Sequence, residues 1–405
     1  LAQHGSPDGA PNNDVEFGRH LRERWLIDPD VTYLNHGTVG APPKAVIERQ
    51  REIGDEIERH PARFMLRELV HHDGSTAERA PRLRTAAAAV APFVGIAGGD
   101  DLLFVENITT GANAVLRSFP FRPDDEIVVT SLGYGGVTNV ARYVADDRGC
   151  RFRTIALPGP GATPAEMVAA VGAGVSDATR VLVIDHVTAT TALVLPVAEI
   201  ARTCHERGIA VLVDGAHVPG NIALDVESLG VDWYVANLHK WAWTPRSLGF
   251  LWVAPQHRSV LHPAVISWGL GQGLTAEFDL LGTRDPTAAL TAPFALDLLR
   301  SYGADRVMRY NHDLAWWAAG HLSAQWDTVF DTPESMIGSM VAVRLPARLG
   351  SDDAAAGRVQ HALDAIGIEV PVHAAAGHLT MRVSAQVYCD RSDIERLADA
   401  VSTLG

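Results

Sequence analysis

The sequence predicts an α/β fold built on an open, mostly parallel sheet, and three observations carry the prediction. Short apolar runs, Ala210 to Val213 and Trp233 to Ala236 among them, have the continuous hydrophobicity of strands buried on both faces. These runs alternate with helical patterns along the chain, as strand–helix–strand units require. At 405 residues the chain exceeds one ordinary core, so two closely connected domains are expected.

In chain order, residues 1–30 open with LAQHGSPDGAPNND, polar and turn-rich, and read as a mobile arm without the apolar region of a signal segment. The short strand VTYL leads through Asn35, His36 and Gly37 into GAPP, which reads as a loop. Lys44 to Arg59 reads as a charged amphipathic helix and Glu78 to Val90 as another. The strand Leu102 to Val105 gives way to Asn107, Thr109, Thr110 and Gly111 as a helical pattern begins. Free N–H groups and hydroxyls there suit an anion, and equally a threonine cap with no ligand. Ile127 to Ser131 is a strand ending in LGYGGV, which lacks the spacing and following acid of a dinucleotide fingerprint. Arg180 to Ile184 is a strand ending in DHVTATT, with Asp185 read as structural, and a helix follows from Val197 to Arg207. After the strand Phe250 to Val253 comes an irregular, glycine-rich stretch to Gly273 that holds Trp268. Pro293 to Gln325 reads as one long helical linker. MVAVRL and HLTMRVS then read as strands beside helices at 355–366 and 391–403, a small α+β domain. The expected division is 1–30 arm, 31–285 large domain, and 286–405 linker helix with small domain.

Bulk properties narrow the function. A formal charge of −14 disfavours a nucleic acid partner, whose phosphates need a basic face. The most apolar window, Thr85 to Ala97, is too short to span a bilayer, so no membrane role is expected. Three cysteines, Cys150, Cys204 and Cys389, show no metal spacing and favour a reducing cytoplasm over a disulfide scaffold.

Lysine usage points to the chemistry. Of 34 basic residues only Lys44 and Lys240 are lysines, so arginine supplies positive charge elsewhere. Lysine alone of the two can lose its proton and attack a carbonyl to form an imine, whereas a buried ion pair would be served as well by arginine. Asp214, His217, Asn237, His239 and Lys240 all follow the ends of two strands, where ligands bind in open α/β sheets. An imine-forming lysine with an acid at a neighbouring strand end fits pyridoxal phosphate (PLP): Lys240 carries the cofactor and Asp214 keeps its ring nitrogen protonated.

DGAHVPG, LHKW, LGTRD at 281–285 and MRVSAQVY at 381–388 together resemble the class V aminotransferase group of fold-type I PLP enzymes. YLNHGTVGAPP at 33–43 and ARFMLREL at 62–69 are most similar to its isopenicillin N epimerase-like branch. The resemblance implies a seven-stranded large domain and places Thr109, Thr110, Asn237 and His239 on the cofactor phosphate. Tyr134 would stack on the ring, and Thr188 and His217 would lie near its phenolic oxygen. Thr283 would reach the phosphate of a second subunit, which implies a homodimer with the site at its interface. Arg382 would bind the substrate carboxylate, with Asn35, His36 and Thr38 as further substrate contacts.

The resemblance implies chemistry at the α-carbon of an amino acid or amino acid conjugate, with Lys240 as general base or acid. Carbon–sulfur β-elimination and decarboxylation with deamination, as in lincosamide-pathway enzymes, are the favoured outcomes, within specialised metabolism. Epimerisation is an alternative that needs a second acid, with His36 the candidate, and transamination is another. Persulfide chemistry is disfavoured, because 330–381 contains no cysteine and Cys389 follows Arg382. A PLP-binding module without turnover is opposed by the presence of both Lys240 and Arg382.

Overall fold

A computed structural model describes residues 15–71 and 80–404. The large sheet contains β1 (Leu103–Val105), β2 (Glu126–Thr130), β3 (Arg151–Ile155), β4 (Thr179–Asp185), β5 (Ala210–Asp214), β6 (Trp233–Asn237) and β7 (Gly249–Val253). Their order is β1-β7-β6-β5-β4-β2-β3, with β7 antiparallel to both neighbours and every other pair parallel. The continuous apolar runs have a direct cause. Leu182, Ile184, Val211 and Val213 enter one core while Val181, Val183, Leu212 and Val235 enter the opposite one. Each such side chain contributes roughly 1.5–3 kcal/mol on burial, so the strand ends form a stiff platform. The order reverses between β4 and β2, the place where such sheets open a crevice.

Two helices bound that crevice. α1 (Ile108–Ser118) follows β1 and packs closely on β6, because a Cβ on Gly111 would sit 2.4 Å from Val235 Cγ1. α2 (Gly135–Arg148) follows β2. The amphipathic helix expected at Lys44–Arg59 is present with those bounds, and the second one begins at Arg82. Glu78 and Arg79, where the second was expected to start, lie outside the described residues.

The smaller unit has the antiparallel order β9-β10-β8, from β8 (Met340–Arg344), β9 (Val372–Ala375) and β10 (His378–Ser384). The single linker expected from Pro293 to Gln325 is two helices, α3 (Thr287–Ser301) and α4 (Ala304–Trp326). They break at Gly303, whose φ of 77° suits glycine. Pro293 lies inside α3 rather than at its start.

The arm expectation also needs correction. Residues 1–14 lie outside the described residues, but beyond them Leu21 and Trp25 are buried in the core of the small unit. Arg22 is 5% exposed and meets Asp393 at 3.0 Å, and Arg19 meets the same carboxylate at 2.8 Å. Asp393→Asn keeps the size and removes the charge both arginines share, so it should lower unfolding free energy by about 2 kcal/mol. Chemical denaturation at neutral pH measures this. An unchanged midpoint would mean the N-terminal segment is held by packing alone.

Candidate active site

The carboxyl ends of β4, β5 and β6 and the starts of α1 and α2 meet around Lys240. The chain after β6 is fixed by close approach. Gly40, at φ 68°, lets a loop pass so near that an added Cβ would sit 2.0 Å from the His239 carbonyl. A Cβ added to Gly220 would likewise sit 2.4 Å from the Trp241 carbonyl. Gly40→Ala should therefore displace the His239–Lys240 backbone and add left-handed strain, at about 1–3 kcal/mol. Reduced cofactor occupancy with the melting transition retained is the expected result. Full occupancy would show that the loop yields instead.

Lys240 Nζ lies 3.1 Å from His217 Nε2, and the Trp241 indole N–H faces His217 Nδ1 at 3.5 Å. The tautomer that satisfies both contacts has Nδ1 accepting from the indole and the ring proton on Nε2, donated to Lys240 as a free amine. Burial favours the same state. It lowers the Lys240 pKa to about 8, against the opposing pull of Asp214. Burial also holds His217 well below its usual range, so it stays neutral.

Asp214 is 3% exposed. Its Oδ1 accepts the Ala216 N–H at 2.9 Å, while Oδ2 is buried with no protein partner. Burial raises its pKa to about 6, with the Ala216 hydrogen bond and Lys240 acting in the opposite direction. An orphaned buried carboxylate oxygen beside a lysine whose pKa burial lowers is the pair of groups that a protonated pyridine ring and its aldehyde would complete. Tyr134 is 43% exposed at the start of α2, with its backbone N–H held by Asp185 at 3.2 Å. It is available as the stacking face.

The start of α1 carries more internal hydrogen bonds than the sequence suggested. Asn107 accepts the Thr110 N–H at 3.0 Å, Asn237 Oδ1 accepts the Ile108 N–H at 2.9 Å, and the Gly111 N–H goes to the Asn107 carbonyl. The Asn237 carbonyl thus shapes the start of α1, leaving its amide as the group that could donate to an anion. Thr109 and Thr110 stand half-buried in the same turn. His239 donates Nδ1–H to the Leu248 carbonyl at 2.8 Å, and burial lowers its pKa to about 4. To donate through Nε2 it must take up a proton as a phosphate arrives. Thr283 is exposed on a segment anchored by Arg284 to Glu106 at 3.0 Å, one residue before Asn107.

Arg382, on β10, reaches the crevice because Ser384 N–H pairs with the Leu34 carbonyl at 2.9 Å and docks that strand end on the 35–40 loop. Arg382 is 5% exposed, and its guanidinium donates to Thr38 Oγ1 at 2.6 Å and to the Ala189 carbonyl. Thr38 and Arg382, each expected to contact substrate, are thus placed against one another. Asn35 is partly engaged, donating to Glu369 at 3.3 Å and accepting from Thr38.

Two expectations fail. His36 is fully buried, with Nδ1 against the Tyr388 hydroxyl at 2.8 Å and Nε2 against the Lys240 carbonyl at 2.9 Å. Burial lowers its pKa to about 3. It braces the lysine loop and is neither a substrate contact nor an acid. Thr188 is fully buried and its hydroxyl is occupied by Thr191 at 2.7 Å and the Leu193 N–H at 2.8 Å, so it closes a turn. The loop expected at 35–37 contains one helical turn, His36–Val39. Asp185 pairs in register with Asp214 and accepts the backbone N–H of Tyr134 at 3.2 Å.

Fold and site together define a pyridoxal phosphate enzyme of fold type I. The chain belongs to the class V aminotransferase family, whose model matches residues 34–397. It is 32% identical to isopenicillin N epimerase of Streptomyces clavuligerus over 95% of this chain and 97% of that one. It is 29% identical to an L-cysteine desulfhydrase of Arabidopsis thaliana over 96% of this chain and 90% of that one. Among solved structures, the cystine C–S lyase C-DES in complex with cysteine persulfide superposes with a TM-score of 0.76 at 20% identity, covering 93% and 98%. No helix among the described residues is long and apolar enough to cross a membrane.

Proposed function

We propose that this protein is a carbon–sulfur β-lyase acting on cysteine or a cysteine conjugate. The observation that carries the reading is that Lys240, its pKa lowered to about 8 by burial, stands in the crevice while His36, the candidate second acid, is sealed in the core. Elimination needs one base that takes the α-proton and returns it to the departing sulfur. Epimerisation needs an acid on the opposite face as well.

The cofactor, when bound, supplies the ring that receives the electron pair released at the α-carbon. Arg382 would hold the carboxylate with its planar fork, and Thr38 would fix that fork. Asp214 would hold the ring nitrogen proton, and Thr109, Thr110, Asn237 and His239 the phosphate. Lys240 takes the α-proton, the Cβ–S bond breaks, and sulfur leaves with a proton. With one water, cysteine gives pyruvate, ammonia and hydrogen sulfide. Similarity to both desulfhydrases and isopenicillin N epimerase supports a bulkier conjugate from natural product biosynthesis as the substrate. Decarboxylation with deamination, as in lincosamide-type enzymes, is a competing fate for the same conjugate.

Incubation with L-cysteine and S-alkyl cysteines in heavy water tests the proposal. Released thiol or sulfide with equimolar pyruvate is expected. Recovered substrate carrying α-deuterium and inverted configuration would establish an epimerase instead, and aldehyde with carbon dioxide a decarboxylating enzyme.

The site is further proposed to be completed by a second copy of the chain. Val265, Ile266, Trp268 and Leu270 expose more than half their surface on the segment that leads to Thr283, and Leu66 stands on the same cleft. Sedimentation equilibrium should give a dimer mass. Free thiols at Cys150, Cys204 and Cys389 suit a reducing compartment such as the cytoplasm.

A further inference from the structure

We infer that a cavity beside the 35–41 loop binds the far end of a cysteine thioether carrying a second amino acid group, its carboxylate at Arg246 and its ammonium at Glu369. The inference deepens the β-lyase reading and takes from it the place of the reacting end, between Arg382 and Lys240. The cavity holds about 460 Å³, and Ile27, Val31 and Val39 are among its apolar lining. Its charged groups are Arg246, Glu369 and Asp28. Nη2 of Arg246 donates to the Gly40 carbonyl at 2.8 Å, and among the described residues no carboxylate pairs with this exposed arginine. Oε1 of Glu369 accepts the Asn35 amide at 3.3 Å, and no cation among them pairs with Glu369. Opposite charges thus line one cavity without closing on each other.

The loop joins this cavity to the crevice. Thr38 Oγ1 accepts Nη2 of Arg382 at 2.6 Å, and the next residue, Val39, is 44% exposed on the cavity. Gly40, whose carbonyl holds Arg246, is where an added Cβ would stand 3.0 Å from Lys240 Cα. Glu369 is tied to Thr38 through Asn35, which accepts the Thr38 hydroxyl. A substrate with its carboxylate on Arg382 and its α-carbon toward Lys240 can therefore extend its sulfur substituent over Val39. There the guanidinium fork suits a carboxylate, Glu369 suits an ammonium, and the methylenes lie on apolar side chains. A lone anion would gain Arg246 but meet Glu369 and Asp28, and an alkyl chain would leave every charge unpaired. For lanthionine, Lys240 takes the α-proton and a Cα–Cβ double bond forms as the Cβ–S bond breaks. Sulfur leaves with that electron pair and a proton as free cysteine, and hydrolysis of the enamine gives pyruvate and ammonia.

Matched compounds test this with the PLP-loaded protein: S-ethyl-, S-(2-carboxyethyl)- and S-(2-aminoethyl)-L-cysteine, and L-lanthionine, which carries both charged groups. Affinity is read from the change in cofactor absorbance, and turnover from pyruvate. Each charged contact should tighten binding about tenfold, so lanthionine should bind about a hundredfold more tightly than S-ethylcysteine, with the singly charged compounds between. Arg246→Gln should weaken only lanthionine and the carboxyethyl compound, and Arg246→Lys, which keeps the charge, should restore part of that loss. Glu369→Gln keeps an acceptor for Asn35 and should weaken only lanthionine and the aminoethyl compound. Equal affinity for all the compounds would overturn the inference, as would variants that weaken all of them alike, the result of a loosened 35–41 loop. Affinities in the expected order with no pyruvate from any compound would uphold the cavity and overturn the β-lyase reading.

Discussion

Lys240→Ala should abolish covalent capture of pyridoxal phosphate and reduce turnover by about 10²–10⁴ from the lost proton transfer alone. The first effect is absolute, because Lys44, the other lysine of the chain, lies in the first turn of the helix Lys44–Arg59 rather than in the crevice. Borohydride treatment followed by peptide mass spectrometry should place the adduct on Lys240 in wild type and nowhere in the variant. Capture should also follow pH. The free amine is the nucleophile, and with the Lys240 pKa lowered to about 8 its population rises through that pH and then levels off. Adduct formation that climbs only near the ordinary lysine range would mean burial does not depress this group. An adduct retained in the alanine variant would remove the site altogether.

The fold was legible in this sequence because its signals are local. Buried parallel strands need unbroken apolar runs, and β4, β5 and β6 supply them, so their bounds were read to within a residue or two. Lys240 and Asp214 were legible for a different reason. Arginine replaces lysine almost everywhere else, and both residues follow strand ends that converge. What remained hidden depends on tertiary neighbours. Nothing local distinguishes His36 beside the crevice from His36 sealed between Tyr388, Gln386 and the Lys240 carbonyl. The hydroxyl of Thr188 is drawn into its own turn by the Leu193 N–H, a choice set by the loop path. The N-terminal segment looked detached because its first residues are polar. Its anchor, Arg22 on Asp393, joins positions at opposite ends of the chain.

Asp214→Asn should move stability and activity in opposite directions, a combination that separates a functional carboxylate from a structural one. In the apo protein the folded-state pKa of Asp214 is raised from 3.8 to about 6. An acid raised in this way destabilises the fold as pH rises past its unfolded value, and the penalty is complete above the folded value. Asparagine keeps the acceptor for the Ala216 N–H and cannot ionise. The apo variant should therefore be more stable than apo wild type at pH 8, by at most about 3 kcal/mol, with the difference vanishing near pH 4. Loading the cofactor reverses the comparison. Asparagine cannot hold a charged ring nitrogen, and loss of one preorganised electrostatic contact lowers rate by about 10²–10³. Melting curves of both apo proteins at pH 4 and pH 8, with turnover of both loaded proteins, decide the matter. An apo variant less stable at pH 8 would assign Asp214 to the architecture, and a loaded variant with wild-type turnover would take it out of the chemistry.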